Sequence, residues 1–169
     1  MGQNELQTGL SLRGNVNSIM IWPSGQIGGR VTGEAGPNSL VTRDDLIARC
    51  VGLLAGRAAE EIILGAPSIG AGGDPNSDLG QASSLLRDMH QSYGFGPDLI
   101  YTAPETGKRK HRLSMELRRA IAADLDDAYA QALEIIKENK DNLLALVEAL
   151  IKRSYIKGEE MQGLMIGNS

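Results

Sequence analysis

Four segments of the chain carry apolar residues at helical spacing, and together they predict a mainly helical fold. The first runs from about residue 43 to residue 64, where apolar side chains recur at steps of three and four. Similar stripes predict helices over residues 77–93, 114–139 and 142–155, and a short last helix after Lys157. The link between the last two long helices is so short that they predict a C-terminal αα-hairpin.

Polar residues mark where these helices are expected to begin and end. Thr42 is a good N-cap for the first helix, and Gly65 is a natural stop because glycine readily takes the left-handed conformation. Asn76 or Ser77 is expected to cap the second helix, and Asp141 the fourth. The helices are therefore defined by their termini as well as by their stripes.

Two runs with the character of β-strands precede the helices. Residues 16–22 are rich in branched side chains, and a second run follows a Pro-Ser-Gly turn, so the pair predicts a small N-terminal hairpin or sheet. The residues of the second run are Gln26, Ile27, Gly28, Gly29, Arg30, Val31 and Thr32. An edge strand of this kind can pair with an extended peptide, and a sheet that merely covers one end of the helical core is an equally weighted alternative. Residues 1–14 are polar and rich in glycine, and we expect a flexible lead-in there.

Composition fits one domain with an aliphatic core. The chain has 169 residues, of which 41% are hydrophobic and only 4% aromatic, and residues 15–166 are expected to form a single mainly α (α+β) domain. The net charge of −4 gives no electrostatic reason to expect nucleic acid, and the basic run at residues 108–112 lacks interleaved aromatics, which favours a solvated loop. Because no apolar run reaches 18 residues, we expect no membrane segment and a soluble chain.

Few side chains are suited to bind a metal. Cys50 is the only cysteine, so no intrachain disulfide forms, and its apolar neighbours favour a buried thiol. His90 and His111 are the only histidines, and His90 is expected on a helix surface or at the edge of the core rather than as a ligand. Gly52 and Gly56 lie four residues apart in the first helix, which indicates close approach of another backbone there.

The most unusual stretch spans residues 53–83. Arg57, Glu60 and Glu61 interrupt a small, apolar helix, a glycine-rich connection follows, and Asp78 stands where the next helix begins. An acidic side chain at a helix N-terminus is held ionised by free N–H groups, and a carboxylate suits a divalent metal. An ordinary acid of the first turn, and an ion pair within the first helix, are the simpler interpretations.

Several segments resemble the FtsH family of membrane-anchored AAA+ zinc metalloproteases, and they occur in the same order. LLAGRAAEE at residues 53–61 and IMIWPSGQIGGRVTG at residues 19–33 are similar to segments of that family. GAGGDPNSDLGQAS at residues 70–83 resembles its threonine/serine-Gly-Ala-x-Asn-Asp-Leu-x-x-Ala signature. SYGFG at residues 92–96 and SYIKGEEM at residues 154–161 resemble two later motifs.

The resemblance implies a largely helical peptidase domain that follows an ATPase domain. In this family, zinc is held by the two histidines of a His-Glu-x-x-His motif and by a later aspartate, which corresponds here to Asp78. Asp74 is the alternative, because the loop is longer than the family pattern. Glu60 or Glu61 is expected to support a zinc-bound histidine. The resemblance also implies a polypeptide substrate and a hexameric parent on the cytoplasmic face of a membrane, with ATP bound only by the ATPase domain.

The chain departs from the family in two respects. It contains neither a His-Glu-x-x-His motif nor a phosphate-binding loop, so the sequence offers no catalytic residue and no ATPase domain. We favour the interpretation that it is the part of a longer protease that follows the motif, inactive by itself. A catalytically dead relative that serves as a helical oligomerisation or scaffold module is the alternative, and an unrelated helical adaptor is a third.

Overall fold

The computed structural model describes residues 14–21, 29–35, 40–69, 72–102 and 113–166. The strands are β1 (Gly14–Ile21), β2 (Gly29–Ala35) and β3 (Tyr155–Lys157), and the helices are α1 (Arg43–Leu64), α2 (Asp78–Gln91), α3 (Met115–Glu138), α4 (Lys140–Arg153) and α5 (Gly158–Ile166). The predicted fold class, mainly helical with a small sheet, is confirmed. These elements form two compact units, a helical unit over residues 41–137 and a mixed unit built from the two ends of the chain.

In the helical unit, α1 begins and ends at the predicted residues. The Thr42 side chain accepts a hydrogen bond from the Asp45 N–H, and the Asp45 carboxylate accepts one from the Thr42 N–H at 2.9 Å, which forms a capping box. At the other end, Gly65 takes the left-handed conformation with φ 82°, and its N–H bonds to the Glu61 carbonyl. Local chemistry therefore fixes both ends of this helix.

Three helices of this unit contribute to one hydrophobic core. Its fully buried members include Cys50, Ala58, Leu86 and Met89, which come from α1 and α2, while α3 adds alanines and Ile121. Burial of Cys50 confirms the sequence interpretation. At Gly56 the expected close approach of another backbone is not met, since no described atom lies within 4 Å of a Cβ built there.

The mixed unit contains a three-stranded antiparallel sheet in the order β2-β1-β3. Ile19 of β1 pairs with Val31 on one side and with Ile156 on the other. Ile156 is fully buried in a second apolar cluster with Leu146 and Leu150 of α4. Within the described strands, β2 pairs on one side only and lies at the edge of the sheet.

Two sequence expectations need correction in this unit. The fourth helix was expected to continue to residue 155, but it ends at Arg153 because Ser154 takes a left-handed φ of 60°, and a short strand follows. Asp141 does not cap this helix. The helix begins at Lys140, Asn139 holds the N-cap position, and Asp141 lies in the first turn. Three residues of strand carry too little periodicity to be recognised in a sequence.

The predicted second strand is described only in part. Gly29, Arg30, Val31 and Thr32 lie in β2, which continues to Ala35, whereas Gln26, Ile27 and Gly28 lie outside the described residues. The basic run at residues 108–112 and most of the expected lead-in also lie outside them.

Candidate functional site

Asp78 is the first residue of α2, and its side chain is exposed. Ser77 precedes it in an extended conformation, and the Ser77 hydroxyl accepts a hydrogen bond from the Gly80 N–H at 3.2 Å. This is a standard N-cap, so the free N–H groups and the positive end of the helix dipole face the region around Asp78. The predicted location of this carboxylate, where a loop becomes a helix, is confirmed.

The loop before α2 is organised by Asp74. The Asn76 N–H donates to the Asp74 carboxylate at 2.7 Å, and the Ser77 N–H donates to the Asp74 carbonyl at 3.0 Å. The Gln81 side chain then binds the Asn76 carbonyl at 2.8 Å. Asp74 therefore shapes the loop with its own carboxylate, while no described residue hydrogen-bonds to the Asp78 side chain. Of the two candidate metal ligands, Asp74 therefore has a carboxylate that is already hydrogen-bonded, and Asp78 has one that no described residue engages.

Gly80 is a residue of this site that the sequence interpretation missed. A Cβ built there would lie 2.6 Å from the Asp74 carbonyl oxygen and 2.7 Å from the Pro75 carbonyl oxygen. The loop thus lies directly against the first turn of α2, at a distance that only glycine permits. A glycine in the first turn of a helix, just after a cap, was the available signal.

Glu60 holds the segment that leaves α1. Its carboxylate accepts hydrogen bonds from the Ser68 N–H at 2.6 Å and from the Ser68 hydroxyl at 2.9 Å. Both bonds lower the pKa of Glu60 below its ordinary value, and the bond from the Ser68 N–H has the larger effect. Glu60 therefore acts here on the loop between α1 and α2, and its expected support of a zinc-bound histidine stays a prediction.

Glu61 and Arg57 both meet Tyr129 of α3. The Tyr129 hydroxyl donates to the Glu61 carboxylate at 2.6 Å, and the Arg57 guanidinium lies 6.0 Å from the centre of the Tyr129 ring. Burial, and secondly the Glu61 carboxylate, raise the pKa of Tyr129. The sequence predicts only pairs within the first helix, whereas the partner of Glu61 comes from α3.

A second polar cluster joins the three helices of the unit. His90 Nε2 lies 2.7 Å from Asp124 Oδ2, and an Arg43 guanidinium nitrogen lies 3.1 Å from Asp124 Oδ1. The His90 side chain is only 8% exposed, which agrees with the expected position at the edge of the core rather than on the helix surface. Its other ring nitrogen, Nδ1, is buried and has no hydrogen-bond partner among the described residues. An unsatisfied buried polar atom costs about 1–3 kcal/mol, so this histidine needs an explanation.

Cys50 is a buried free thiol. Burial, and secondly the nearby Asp124 carboxylate, raise the pKa of its thiol to about 11. Because the thiolate is the reactive form, a buried thiol in this state is a poor nucleophile.

The described residues do not bring a complete set of metal ligands together. No group of three His, Cys, Asp or Glu side chains comes together within the described ranges. A catalytic zinc needs three protein ligands and an open position, and the assignment of Asp78 as one of them stays a prediction. In the described part of the chain, no helix has both the length and the hydropathy that crossing a membrane requires.

Comparison with known proteins gives a consistent result. The model of peptidase family M41 matches residues 8–164. ATP-dependent zinc metalloprotease FtsH 2 of Symbiobacterium thermophilum is 34% identical over 157 residues, which cover 89% of this chain and 26% of that protein. The chloroplastic ATP-dependent zinc metalloprotease FTSH 2 of Arabidopsis thaliana is 32% identical over 140 residues, with 75% of this chain and 20% of that protein covered. The matched region is thus about a quarter of the first relative and a fifth of the second.

Proposed function

Since the chain belongs to peptidase family M41, we propose that it forms part of the peptidase domain of an ATP-dependent zinc metalloprotease that degrades unfolded or membrane proteins. The observation that carries the proposal is the state of Asp78. It stands at the N-terminus of α2 within the motif that resembles the family signature, and no described residue hydrogen-bonds to its carboxylate. The neighbouring Asp74 is already engaged by Asn76, which favours Asp78 as the metal ligand.

Each residue around Asp78 has a positioning role in this proposal. Ser77 and Gly80 fix the first turn of α2, and Asp74 shapes the loop that leads into it. Glu60 fixes the earlier part of the same connection through Ser68. Zinc, when bound, supplies a Lewis acid for peptide hydrolysis. The chain's own contribution is to hold a carboxylate ionised and oriented at a helix terminus.

Glu60 and Glu61 remain candidates for support of a zinc-bound histidine. Their present hydrogen bonds, to Ser68 and Tyr129 respectively, hold α1 in register with the loop and with α3. In the same proposal the edge strand β2, including Gly29–Thr32, receives an extended polypeptide substrate. The parent protein is a homohexamer anchored to a membrane, with this domain on the cytoplasmic side and ATP bound by a separate domain.

A catalytically inactive scaffold is the second candidate function. It is favoured by the absence of a three-ligand metal group among the described residues. Proteolysis separates the two candidates. The complete gene product is expected to cleave an unfolded polypeptide only with ATP, and to lose that activity with a zinc chelator. A well-folded oligomer that never cleaves, with or without added zinc, would support the scaffold instead.

The 169-residue chain alone is expected to show no peptidase activity with added zinc. Activity of this chain would contradict the proposal that the remaining zinc ligands and the general base lie outside this chain.

A further inference from the structure

Residues 92–102, which follow α2, form a closed loop. The Thr102 N–H donates to the Gln91 carbonyl at 2.6 Å, and the Ser92 hydroxyl donates to the Thr102 carbonyl at 3.2 Å, so the two ends of the loop meet. Inside it, the Phe95 N–H donates to the Met89 carbonyl at 3.2 Å. Compact loops with adjoining ends are held largely by their own contacts, and they open as local units.

The loop lies against His90. A Cβ built at Gly96 would lie 2.9 Å from the His90 carbonyl oxygen and 3.4 Å from His90 Nδ1. Because the ring also reaches Asp124 of α3, which in turn contacts Arg43 of α1, His90 connects the loop to all three helices of the unit.

A contribution to folding stability does not explain why this position holds a histidine. A carboxylate only accepts hydrogen bonds, so Nε2 must carry the proton that faces Asp124, and Nδ1 is left buried without a described partner. An apolar side chain of similar size would fill the space without an orphaned nitrogen. Directional polar contacts inside a core instead select one arrangement of the elements they join.

We propose that Arg43, Asp124 and His90 form a polar latch that holds the 92–102 loop closed, and that the loop opens as a unit when the latch is broken. The loop is a suitable element for such a device because it exposes large apolar side chains, which are Tyr93, Leu99, Ile100 and Tyr101. The latch therefore determines the arrangement in which these apolar side chains are exposed to solvent. This inference does not depend on the proposed peptidase function, because every contact in it lies within the described helical unit.

Amide hydrogen exchange on the 169-residue chain tests the latch directly. In His90→Leu, the amides of Phe95 and Thr102 are expected to exchange about tenfold faster or more, as loss of a hydrogen bond to a charged group predicts. The Leu54 amide in the middle of α1 is expected to keep its parental rate. Glu148→Gln removes an exposed ion pair with Lys152 on α4, so it is the matched control and is expected to leave all three rates unchanged.

Two further variants keep the test decisive if His90→Leu folds poorly. Asp124→Asn retains an acceptor, so an increase at Phe95 and Thr102 smaller than in His90→Leu, with Leu54 unchanged, supports the latch. The double variant His90→Leu with Asp124→Leu restores apolar packing and is expected to recover parental global stability without recovering loop protection. Equal acceleration of all three amides in Asp124→Asn, or parental loop protection in the double variant, would overturn the proposal.

Discussion

The same substitution, glycine to alanine, is expected to have opposite effects at Gly80 and at Gly56. Alanine is the better helix former by about 0.5–1 kcal/mol. At Gly56 the new methyl group meets no described atom within 4 Å, so Gly56→Ala is expected to stabilise the chain by about that amount. Gly56 is therefore the matched control for a change at Gly80.

At Gly80 the methyl group has no room. Its carbon would lie 2.6 Å from the Asp74 carbonyl oxygen, whereas ordinary contacts begin near 3.4 Å, and the obstacle is backbone rather than a flexible side chain. Moving the loop costs about 1–3 kcal/mol as overpacking, and it weakens the Ser77 cap, which contributes about 1 kcal/mol. After the gain in helix propensity, Gly80→Ala is expected to destabilise the chain by about 1–3 kcal/mol.

Urea unfolding followed by far-ultraviolet circular dichroism measures both variants against the parent. The expected order of midpoints is Gly56→Ala, then the parent, then Gly80→Ala. A Gly80→Ala midpoint at or above that of the parent would refute the close approach of the loop to α2, and with it the described geometry around Asp78.

Three further predictions concern single side chains. Tyr129→Phe is expected to lower the free energy of unfolding by about 1 kcal/mol in urea titrations, because it removes a hydrogen bond to a partly buried carboxylate. An unchanged free energy of unfolding would show that water solvates the Glu61 carboxylate equally well without the tyrosine hydroxyl. The pKa of Glu60 is lowered in the folded state, so its contribution to stability is present at neutral pH and is lost as the pH falls through that lowered value. The stability difference between parent and Glu60→Gln is therefore expected to shrink below pH 4.5, and a difference that grows there would contradict the Ser68 contact. Cys50 is expected to resist alkylation at pH 8 until the chain is unfolded, and rapid labelling of the folded chain would contradict its burial.

The helices could be predicted from the sequence because their signals are local. The Thr42 cap, the apolar stripe and Gly65 define α1 from residues within or beside it, and the structure places its ends where they indicate. The β3 strand could not be predicted in this way, because its partner β1 lies more than a hundred residues earlier in the chain.

The candidate site was predictable to the extent that it is local. The position of Asp78 at a helix N-terminus follows from the sequence around it. The partners of Glu61 and His90 come from α3, at sequence separations of 68 and 34 residues, and helical periodicity carries no information about such pairs. Gly80 was missed because its need for glycine arises from a backbone that folds back on it.

Zinc content tests the central claim most directly. Elemental analysis of the complete gene product is expected to give about one zinc per chain, as one catalytic site requires. Asp78→Asn is expected to lose most of that zinc, while Asp74→Asn, which changes the neighbouring carboxylate of the same loop, is expected to keep it. Parental zinc content in Asp78→Asn, or loss of zinc only in Asp74→Asn, would contradict the assignment of Asp78 as the metal ligand.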